Sequence, residues 1–547
     1  MNLIKKYLPI LLMIILAAFL RFYHLGDYPA LNADEAAIGY NAYSLIQTGK
    51  DEHGNPWPIH FQSFNDYKPG LYFYLVLPFV KVMGLNEWAV RIPGAILGVL
   101  TVLVVYFLIK ELKIGNWKLE ILASAMLAIS PWHLHFSRGG WEVNVSTFFI
   151  TLGVWLFIRG VNKQFDFKSL VFSLLSFAAS LYAYHAARIV VPLLGLGLLI
   201  IYRKQIFKNI KPFLLACLLG IMVLIPLIKD LTGPAGISRT VGVGLLADTG
   251  PFSRINEQRG EHSNFFSLFP KIMHNKPVNY GLAFIQNWAS HFHGEFLFLS
   301  GDEIQRNKVP ETGQMYIFDA LLLAIGLWSI ARKPTKEWLM VGWWLVIAPT
   351  ATALTFQSPH ALRAENMVIP LVIISAYGLV NIVIWLNGCM VKWLRVMGYL
   401  IIGFLVFWNF ARYEHMYWVH MAREYPFSSQ YGVKELVSYI QDNNEKYNRI
   451  IVTDRYDQPY ILSLFYLKYP SAKFQGGHIL TPRDKFGFST VRDFDKFHFE
   501  EVNFDKIRPE NPNSLIVGTD EEIPKEANIV EKIYGTNGYL YFEAVAN

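Results

Sequence analysis

The chain has 547 residues, of which 53% are hydrophobic, 15% are aromatic and only 17% are charged. A disordered chain would have fewer apolar residues and more charge, and a disulfide-rich secreted module would need more than the two cysteines present, so both classes are excluded. The net charge of +7 is unevenly distributed: residues 412–547 carry 16 Lys and Arg against 20 Asp and Glu, whereas residues 1–411 carry 33 against 22. We therefore predict a hydrophobic, basic membrane body over residues 1–411, followed by a soluble domain over residues 412–547.

Long apolar segments recur throughout the membrane body. A helix that spans the hydrocarbon core needs about 20 mostly apolar residues, and most of these segments approach that length. The apolar segment 70–84 has only 15 residues, so we interpret it as a juxtamembrane or re-entrant helix. The sequence predicts a multi-span α-helical membrane protein with eleven spans, near residues 7–23, 92–110, 119–136, 143–158, 169–183, 189–202, 212–228, 315–331, 338–355, 367–388 and 396–411.

The lysines and arginines at the span ends predict the orientation of the chain. One set of ends carries 17 of these cations, whereas each short loop on the opposite side carries a single Arg. Cationic loops stay in the cytoplasm, so the N-terminus should lie inside the plasma membrane. The long loops 24–91 and 229–314 and the C-terminal domain should then lie outside. Because membrane topology accounts for the cationic excess, we expect the lipid bilayer and not nucleic acid as a partner.

The first outer loop contains two adjacent acids, Asp34 and Glu35. Asn32 and Glu35 have the spacing of a capping box, which predicts that a helix starts here. The carboxylates could complement the positive N-terminal end of this helix or could serve in chemistry, and the spacing leaves both interpretations open. An amphipathic helix on the membrane surface is expected, with apolar and more polar sides formed by Ile38, Ala42 and Leu45, and by Asp34, Asn41 and Ser44, respectively.

Cations of the outer face form a second group of candidates. Lys68 directly precedes the apolar segment 70–84, where its ammonium could reach a lipid phosphate or simply extend to the interface. A guanidinium suits phosphate through its planar set of donors, although a single Arg is usually an interface anchor. Three short outer loops each offer a His and an Arg three residues apart, which favours an anionic ligand: His135 and Arg138, His185 and Arg188, and His360 and Arg363.

Further polar residues lie in the long loop 229–314. His291, His293 and Glu295 are followed closely by Arg306, and such a cluster could bind a metal or hydrogen-bond a polar substrate. The spacing is generic, so we predict no metal site. We expect His293 and Arg306, together with Tyr40 of the first loop, to contact substrate.

The order of these motifs along the chain resembles a known family. Asp34-Glu35 is similar to the acidic motif, and Lys68-Pro69-Gly70-Leu71 to the Lys-Pro-Pro-Leu segment, of the dolichyl-phosphate-mannose protein mannosyltransferases and the bacterial lipid A aminoarabinose transferase. Trp88–Ala95, Ser137-Arg138 and Pro359–Arg363 also match relatives. The resemblance covers most of residues 1–411.

This resemblance implies a C-type glycosyltransferase fold and transfer of a sugar from a polyprenyl-phosphate donor, on the outer face of the membrane, to a protein, lipid or glycan acceptor. Asp34 would be the catalytic base, with support from Glu35 or Glu142, and displacement would be inverting. No cofactor is expected, and a divalent cation, which related oligosaccharyltransferases use, is the less favoured alternative. Candidates for the donor phosphate are Lys68, Arg138, Arg188 and Arg363, and candidates for the remaining substrate contacts are Tyr40, His135, His185, His293, Arg306 and His360.

Two other functions compete with glycosyl transfer. A transporter or flippase for an anionic polyprenyl-linked sugar is the main alternative, but it predicts charges at mid-membrane. A glycosidase would also use two carboxylates, but it would not need a multi-span body with outer cations. The polar candidates gather at one membrane face, which favours transferase chemistry at that face.

The soluble tail has mixed periodicity. The segments 431–443 and 459–469 are predicted to be helical, whereas 449–453, 514–518 and 540–544 are typical of strands. Alternating elements of this kind predict a small extracytoplasmic α/β domain. We expect this domain to cover the active site or to help select the acceptor.

Overall fold

A computed structural model describes residues 2–163, 165–236, 244–484 and 487–547, with the side chains described from residue 8 onward. Helices dominate the first 236 residues, and one short hairpin interrupts them. The elements in this part are α1 (Asn2–Phe22), α2 (Ala33–Thr48), β1 (His60–Ser63), β2 (Asp66–Pro69), α3 (Leu71–Met83), α4 (Glu87–Leu112), α5 (Trp117–Ile129), α6 (Pro131–Phe136), α7 (Glu142–Asn162), α8 (Phe167–Ala183), α9 (Ala187–Ile201), α10 (Arg203–Lys208) and α11 (Ile210–Leu231).

Helices continue from residue 244 to residue 443, after which strands alternate with helices. The helices are α12 (Gly250–Gly260), α13 (Leu268–Met273), α14 (Lys276–Ser290), α15 (Asp319–Arg332), α16 (Lys336–Ile347), α17 (Thr350–Ala353), α18 (Ala361–Ala364), α19 (Val368–Gly388), α20 (Lys392–His415), α21 (Met421–Glu424) and α22 (Val433–Asn443). The C-terminal elements are β3 (Arg449–Thr453), α23 (Pro459–Leu467), α24 (Ser471–Gly477), β4 (Asp493–Phe494), β5 (Phe497–Glu500), α25 (Phe504–Glu510), β6 (Ser514–Gly518), β7 (Ile529–Tyr534) and β8 (Leu540–Ala546).

Nine of the eleven predicted spans each overlap a single helix, whereas the span 119–136 covers α5 and α6 and the span 338–355 covers α16 and α17. Among the described residues, five helices are long and apolar enough to cross a membrane: Glu87–Leu112, Glu142–Asn162, Ile210–Leu231, Ala361–Gly388 and Lys392–Glu424. Shorter apolar helices cover Leu8–Phe22, Leu71–Met83, Phe167–Ala183 and Ala187–Ile201. Apolar helices of this kind support a membrane protein, whereas the count of eleven spans stays a prediction.

The chain divides into two compact units whose boundaries differ from the predicted division at residue 412. The helical unit contains residues 1–21, 94–137 and 142–414, and the mixed unit contains residues 22–93, 138–141 and 415–547. The first outer loop therefore folds with the C-terminal domain. The physical reason is a set of contacts between residues far apart in sequence, such as Ala33 N–H donating to Gln430 Oε1 at 2.6 Å.

Close helix packing holds the helical unit together. Helix α7 packs on α8, and α15 packs on α19. At the second contact, a Cβ added to Gly378 would lie 2.0 Å from the carbonyl oxygen of Leu322. A glycine is therefore required there, because small residues let membrane helices approach backbone to backbone.

A six-stranded sheet forms the centre of the C-terminal part of the mixed unit. The strand order is β4-β5-β3-β6-β8-β7, with β3 parallel to both β5 and β6, and β8 antiparallel to β6 and β7. Ile451, Ile516 and Val545 from three of these strands share a buried apolar cluster with Phe504 and Ile507 of α25. The C-terminal part thus has the sheet and packed helices that the α/β pattern predicted.

Helix α2 begins where the capping box predicted. Asn32 Oδ1 accepts from Glu35 N–H at 3.0 Å, and Glu35 Oε2 accepts from Asn32 N–H at 3.2 Å. The predicted exposed polar side is wrong, because Asn41 and Ser44 are fully buried. Helix α2 packs against α3, α23 and α24, so protein surrounds the side that was expected to face solvent.

Candidate active site

Asp34 and Lys68 meet in the mixed unit. Lys68 Nζ lies 2.5 Å from Asp34 Oδ1, and the side chains of Asp34 and Lys68 are 23% and 12% exposed. Asp34 stands in the first turn of α2, while Lys68 stands on β2 of the hairpin that leads into α3. The ammonium also lies 4.8 Å from the centre of the Phe64 ring. Two residues 34 positions apart thus place a proton acceptor and a cation side by side in a partly open position.

Glu35, the other acid of the motif, is buried in a structural ion pair. Arg91 Nε donates to Glu35 Oε1 at 2.7 Å, and Arg91 Nη2 donates to Oε2 at 2.8 Å. Gly140 N–H donates to Oε1 at 2.8 Å, and Asn32 donates to Oε2 through its backbone and its side chain. With the carboxylate enclosed by five donors, these contacts support a role in holding the fold and not the predicted support of catalysis.

Arg91 completes this arrangement. Its Nη1 donates to the carbonyls of Leu25 and Pro29 at 2.9 and 2.8 Å, and its Nη2 donates to Ala30 at 3.2 Å. All five guanidinium donors are therefore used, and the side chain is fully buried. Arg91 fixes the segment that precedes Asp34. In the sequence, Arg91 stands out only as part of the stretch Trp88–Ala95 and as an isolated charge beside an apolar segment, which was the signal for this role.

Arg138 and Tyr40 also lie in the mixed unit, and both are buried. Arg138 Nε donates to the hydroxyl of Tyr417 at 3.0 Å, and its Nη2 donates to the carbonyl of Tyr23 at 2.7 Å. The guanidinium lies 4.8 Å from the Trp418 ring centre. Tyr40 O–H donates to the carbonyl of Tyr469 at 3.0 Å. These contacts tie the first loop to the C-terminal domain, and the predicted substrate roles stay predictions.

A buried acid that the sequence analysis missed lies on the loop after α2. Glu52 is fully buried, and Asn41 Nδ2 donates to its Oε1 at 3.2 Å. Among the described residues, Glu52 Oε2 has no hydrogen-bond partner. Burial raises the pKa of Glu52 to about 8, which the bond from Asn41 and the charge of Lys68 only partly oppose. The adjacent charges of Asp51-Glu52-His53 were the only sequence signal.

The helical unit contains a cavity of about 600 Å³ that brings three predicted residues together. His185, Arg188 and Arg363 line it with Tyr280, Phe284 and several aliphatic side chains. Arg188 Nη1 lies 2.9 Å from His185 Nδ1, as the three-residue spacing predicted. Arg363 donates to Thr355 Oγ1 at 2.8 Å and to Gln357 Oε1 at 3.2 Å. Two guanidinium groups in a mostly apolar cavity suit an anionic group on an apolar body.

The other predicted residues of the helical unit lie in several environments. His360 Nδ1 is 3.6 Å from Asp302 Oδ2, and its backbone N–H donates to His291 Nε2 at 3.2 Å. His135 Nε2–H donates to the carbonyl of Arg306 at 2.9 Å. His293 is exposed, and Glu142 is buried in the first turn of α7. Within the described ranges, no three His, Cys, Asp or Glu side chains converge as metal ligands.

Residues 67–229 match the family model of the dolichyl-phosphate-mannose-protein mannosyltransferases. A segment of 163 residues is 26% identical to an uncharacterized protein of Aquifex aeolicus strain VF5. The matched segment covers 30% of this chain and 31% of the length of that relative. The crystal structure of ArnT from Cupriavidus metallidurans bound to undecaprenyl phosphate is similar with a TM-score of 0.54 and 12% identity, over 98% of this chain and 97% of that one.

A second solved structure is also similar in fold to this chain. AglB, the oligosaccharyltransferase of Archaeoglobus fulgidus, in complex with an inhibitory peptide and a dolichol-phosphate, is similar with a TM-score of 0.52 and 13% identity, over 85% of this chain and 64% of that one. The predicted resemblance is therefore confirmed: the chain has the fold shared by ArnT and AglB, and its residues 67–229 match the dolichyl-phosphate-mannose-protein mannosyltransferase family.

Proposed function

We propose that the protein transfers a sugar from a polyprenyl-phosphate donor to an acceptor hydroxyl. The observation that carries this proposal is the ion pair of Asp34 and Lys68, in which the carboxylate and the ammonium are 2.5 Å apart. Such a transfer needs a proton acceptor for the attacking hydroxyl and a cation for the departing phosphate. The family match over residues 67–229 and the shared fold with two polyprenyl-phosphate-bound structures support this assignment.

In this reaction the acceptor oxygen attacks the anomeric carbon as the bond from that carbon to the phosphate oxygen breaks. Asp34 receives the hydroxyl proton, and the polyprenyl phosphate leaves with the bonding electrons. Lys68 stabilises the charge that develops on the phosphate, and a direct displacement inverts the anomeric centre. Because phosphate is already a good leaving group, no strong general acid is needed.

The apolar cavity of the helical unit is proposed by itself as a phosphate-binding site. Arg188 and Arg363 line it together with Tyr280 and Phe284, a lining that suits an anionic group on an apolar body. Arg138 keeps its predicted phosphate role as a proposal, although its described contacts are to Tyr23, Tyr417 and Trp418.

We also propose the topology in which this reaction occurs. Eleven spans with a cytoplasmic N-terminus place both the first loop and the C-terminal domain outside the plasma membrane, in agreement with the Lys and Arg bias. The acceptor in this proposal is a protein, a lipid or a glycan. A flippase is less favoured, because a transferase family model matches residues 67–229.

The test uses full-length protein in lipid nanodiscs with synthetic polyprenyl-phosphate sugars and a panel of acceptors, with released polyprenyl phosphate measured by mass spectrometry. Asp34→Asn should lower the transfer rate by about 100-fold or more, since positioned acid–base groups contribute roughly that much. Asp27→Asn is the matched control, because Asp27 is 70% exposed on the same loop. Near wild-type transfer by Asp34→Asn would refute the assignment, and carrier translocation in liposomes without turnover would favour the flippase.

A further inference from the structure

A crevice of about 670 Å³ lies in the C-terminal domain, at the carboxyl end of the central strand β3. One wall is the segment from Asp454 to Pro459, which directly follows β3. The other wall comes from residues between Thr481 and Asp484 and between Phe488 and Arg492. The function proposed above does not use this crevice.

The sheet topology makes this position a natural ligand site. From β3 the chain crosses through α23 and α24 to β5 on one side, and from β5 it crosses through α25 to β6 on the other side. The chain leaves β3 towards β5 on one side, whereas it leaves β6 towards β7 on the other side, so the direction of the connections reverses between β3 and β6. Open α/β sheets bind ligands outside the carboxyl ends of the strands at such a point, and the segment after β3, which forms one wall of the crevice, starts there.

The lining of the crevice combines two opposite kinds of polar group. Asp454, Asp457 and Asp484 carry carboxylates, which accept hydrogen bonds, whereas Arg455 and Arg492 carry only donors. A hydroxyl group donates and accepts at once, so a ligand with many hydroxyls can use both kinds of side chain. The crevice also includes the ring of Phe488, against which the apolar face of a sugar can pack.

One wall of the crevice is bonded to the hairpin that carries Lys68. Ser489 N–H donates to the carbonyl of Phe64 at 2.9 Å, and Asn65 Nδ2 donates to Ser489 Oγ at 3.1 Å. Phe64 and Asn65 form the turn between β1 and β2, and the Phe64 ring contacts Lys68. Hydrogen bonds thus connect this wall of the crevice to the hairpin that carries Lys68 of the proposed active site.

The other wall is bonded to the segment that carries Asp34. Gln430 Nε2 donates to the carbonyl of Asp457 at 2.5 Å, and Gln430 Oε1 accepts from the N–H of Ala33 at 2.6 Å. Ala33 immediately precedes Asp34. Both walls of the crevice are therefore hydrogen-bonded to chain segments that carry the ion pair of Asp34 and Lys68.

We propose that this crevice binds the acceptor, and that the acceptor is a polyhydroxylated glycan. The proposal rests on the transferase function proposed above and names the substrate class of the same site. A peptide is less well matched, because extended peptides pair with open strand edges. The edges of this sheet are β4 and β7, whereas the crevice lies at the ends of interior strands.

Binding of small glycans to the full-length protein in nanodiscs tests the proposal. Mannotriose, cellotriose and chitotriose serve as probes, and binding is followed by saturation-transfer NMR and calorimetry. Asp454→Asn and Arg492→Gln should each weaken binding of the preferred triose about tenfold, the size of one hydrogen bond to a charged group. Glu526→Gln and Lys525→Gln are matched controls with the same charge changes at exposed positions of the same domain, and they should bind as the wild type does.

The outcomes separate this proposal from the transferase proposal. Loss of triose binding in both crevice variants, with a raised acceptor KM and unchanged donor binding, supports the glycan site. Triose binding that does not depend on Asp454 or Arg492, no binding of any triose at millimolar concentration, or Asp454-dependent binding of Ser- and Thr-containing peptides instead of trioses overturns it. Asp454-dependent triose binding without release of polyprenyl phosphate by the wild type would keep the glycan site and refute the transferase.

Discussion

Replacing the carboxylate by an amide should have opposite effects at the neighbouring acids Asp34 and Glu35. At Asp34 it should lower transfer activity and leave stability unchanged, whereas at Glu35 it should lower stability. Glu35→Gln keeps the shape of the side chain but removes the negative charge that faces Arg91, and it places an amide group among donors. Arg91 is fully buried, so it would lose its counter-charge, and because the amide keeps only one acceptor oxygen it would also lose one of its two bonds of 2.7 and 2.8 Å to Glu35. Breaking one side of a buried ion pair costs about 3–5 kcal/mol, and we expect a loss of that size.

The assay compares thermal unfolding and transfer for both variants in the same nanodiscs. A loss of 3–5 kcal/mol should lower the unfolding midpoint of Glu35→Gln by roughly 5–10 °C, given typical shifts per kcal/mol in large domains. The midpoint of Asp34→Asn should stay within about 2 °C of wild type, because Asp34 is partly exposed. Below its unfolding transition, Glu35→Gln should retain a substantial part of the transfer activity.

A stable but inactive Glu35→Gln would refute this reasoning. It would return Glu35 to the predicted support of catalysis, since loss of a buried charge that mainly holds the fold should lower the unfolding midpoint before it lowers turnover. A second check is the double variant Glu35→Gln with Arg91→Met, which removes the uncompensated charge as well. It should recover part of the lost stability, because replacing a whole buried ion pair by apolar groups is often neutral.

Three further predictions concern other parts of the protein. Arg363→Gln should weaken polyprenyl-phosphate binding about tenfold by removing a charge from the apolar cavity, whereas Arg254→Gln, at a position 56% exposed, should not; equal binding by both would exclude the cavity as the phosphate site. The pKa of Glu52 rises from 4.5 to about 8 on folding, so the folded state keeps a proton that the unfolded chain has released, and stability is lost as the pH rises from about 4.5 through 8. Glu52→Gln should reduce this loss, which is of the order of 4 kcal/mol, and an unchanged pH dependence of unfolding would contradict the assignment. Transfer should survive EDTA, because Lys68 supplies a cation beside Asp34; a rate that falls tenfold with EDTA and returns with Mn²⁺ would show a metal requirement.

Local signals predicted the elements that depend on neighbouring residues. The capping box of Asn32 and Glu35 placed the start of α2 correctly, and the apolar runs Arg449–Thr453 and Ser514–Gly518 were predicted as strands with the bounds that β3 and β6 have. Central parallel strands are covered on both faces, so they stand out as continuous apolar runs. Strand β7 was missed because it is an edge strand in which the charged Glu531 and Lys532 interrupt the apolar residues, and such a strand has no clear apolar signal.

Contacts between residues far apart in sequence could not be predicted from such local patterns. The composition predicted a domain boundary near residue 412. This boundary marks where the apolar segments end, but it does not show which segments fold together. The hydrogen bonds between Gln430 and Ala33 and between Ser489 and Phe64 join segments about 400 residues apart. Because these residue types are common in loops, their presence in the sequence does not predict such contacts. The grouping of the first loop with the C-terminal domain could therefore be learned only from the folded chain.

The different environments of Asp34 and Glu35 show why two adjacent residues of a motif need not have the same role. Successive residues of a helix point about 100° apart, so one acid of the pair faces Lys68 in a partly open position while the other turns inward to Arg91. The inward acid caps α2, holds the segment before it through Arg91 and bonds to Gly140, which together fix the backbone from which Asp34 projects. In the proposed transfer reaction, Asp34 would therefore be the reacting carboxylate and Glu35 the one that positions it, an assignment based on the burial of each side chain, which the sequence does not reveal.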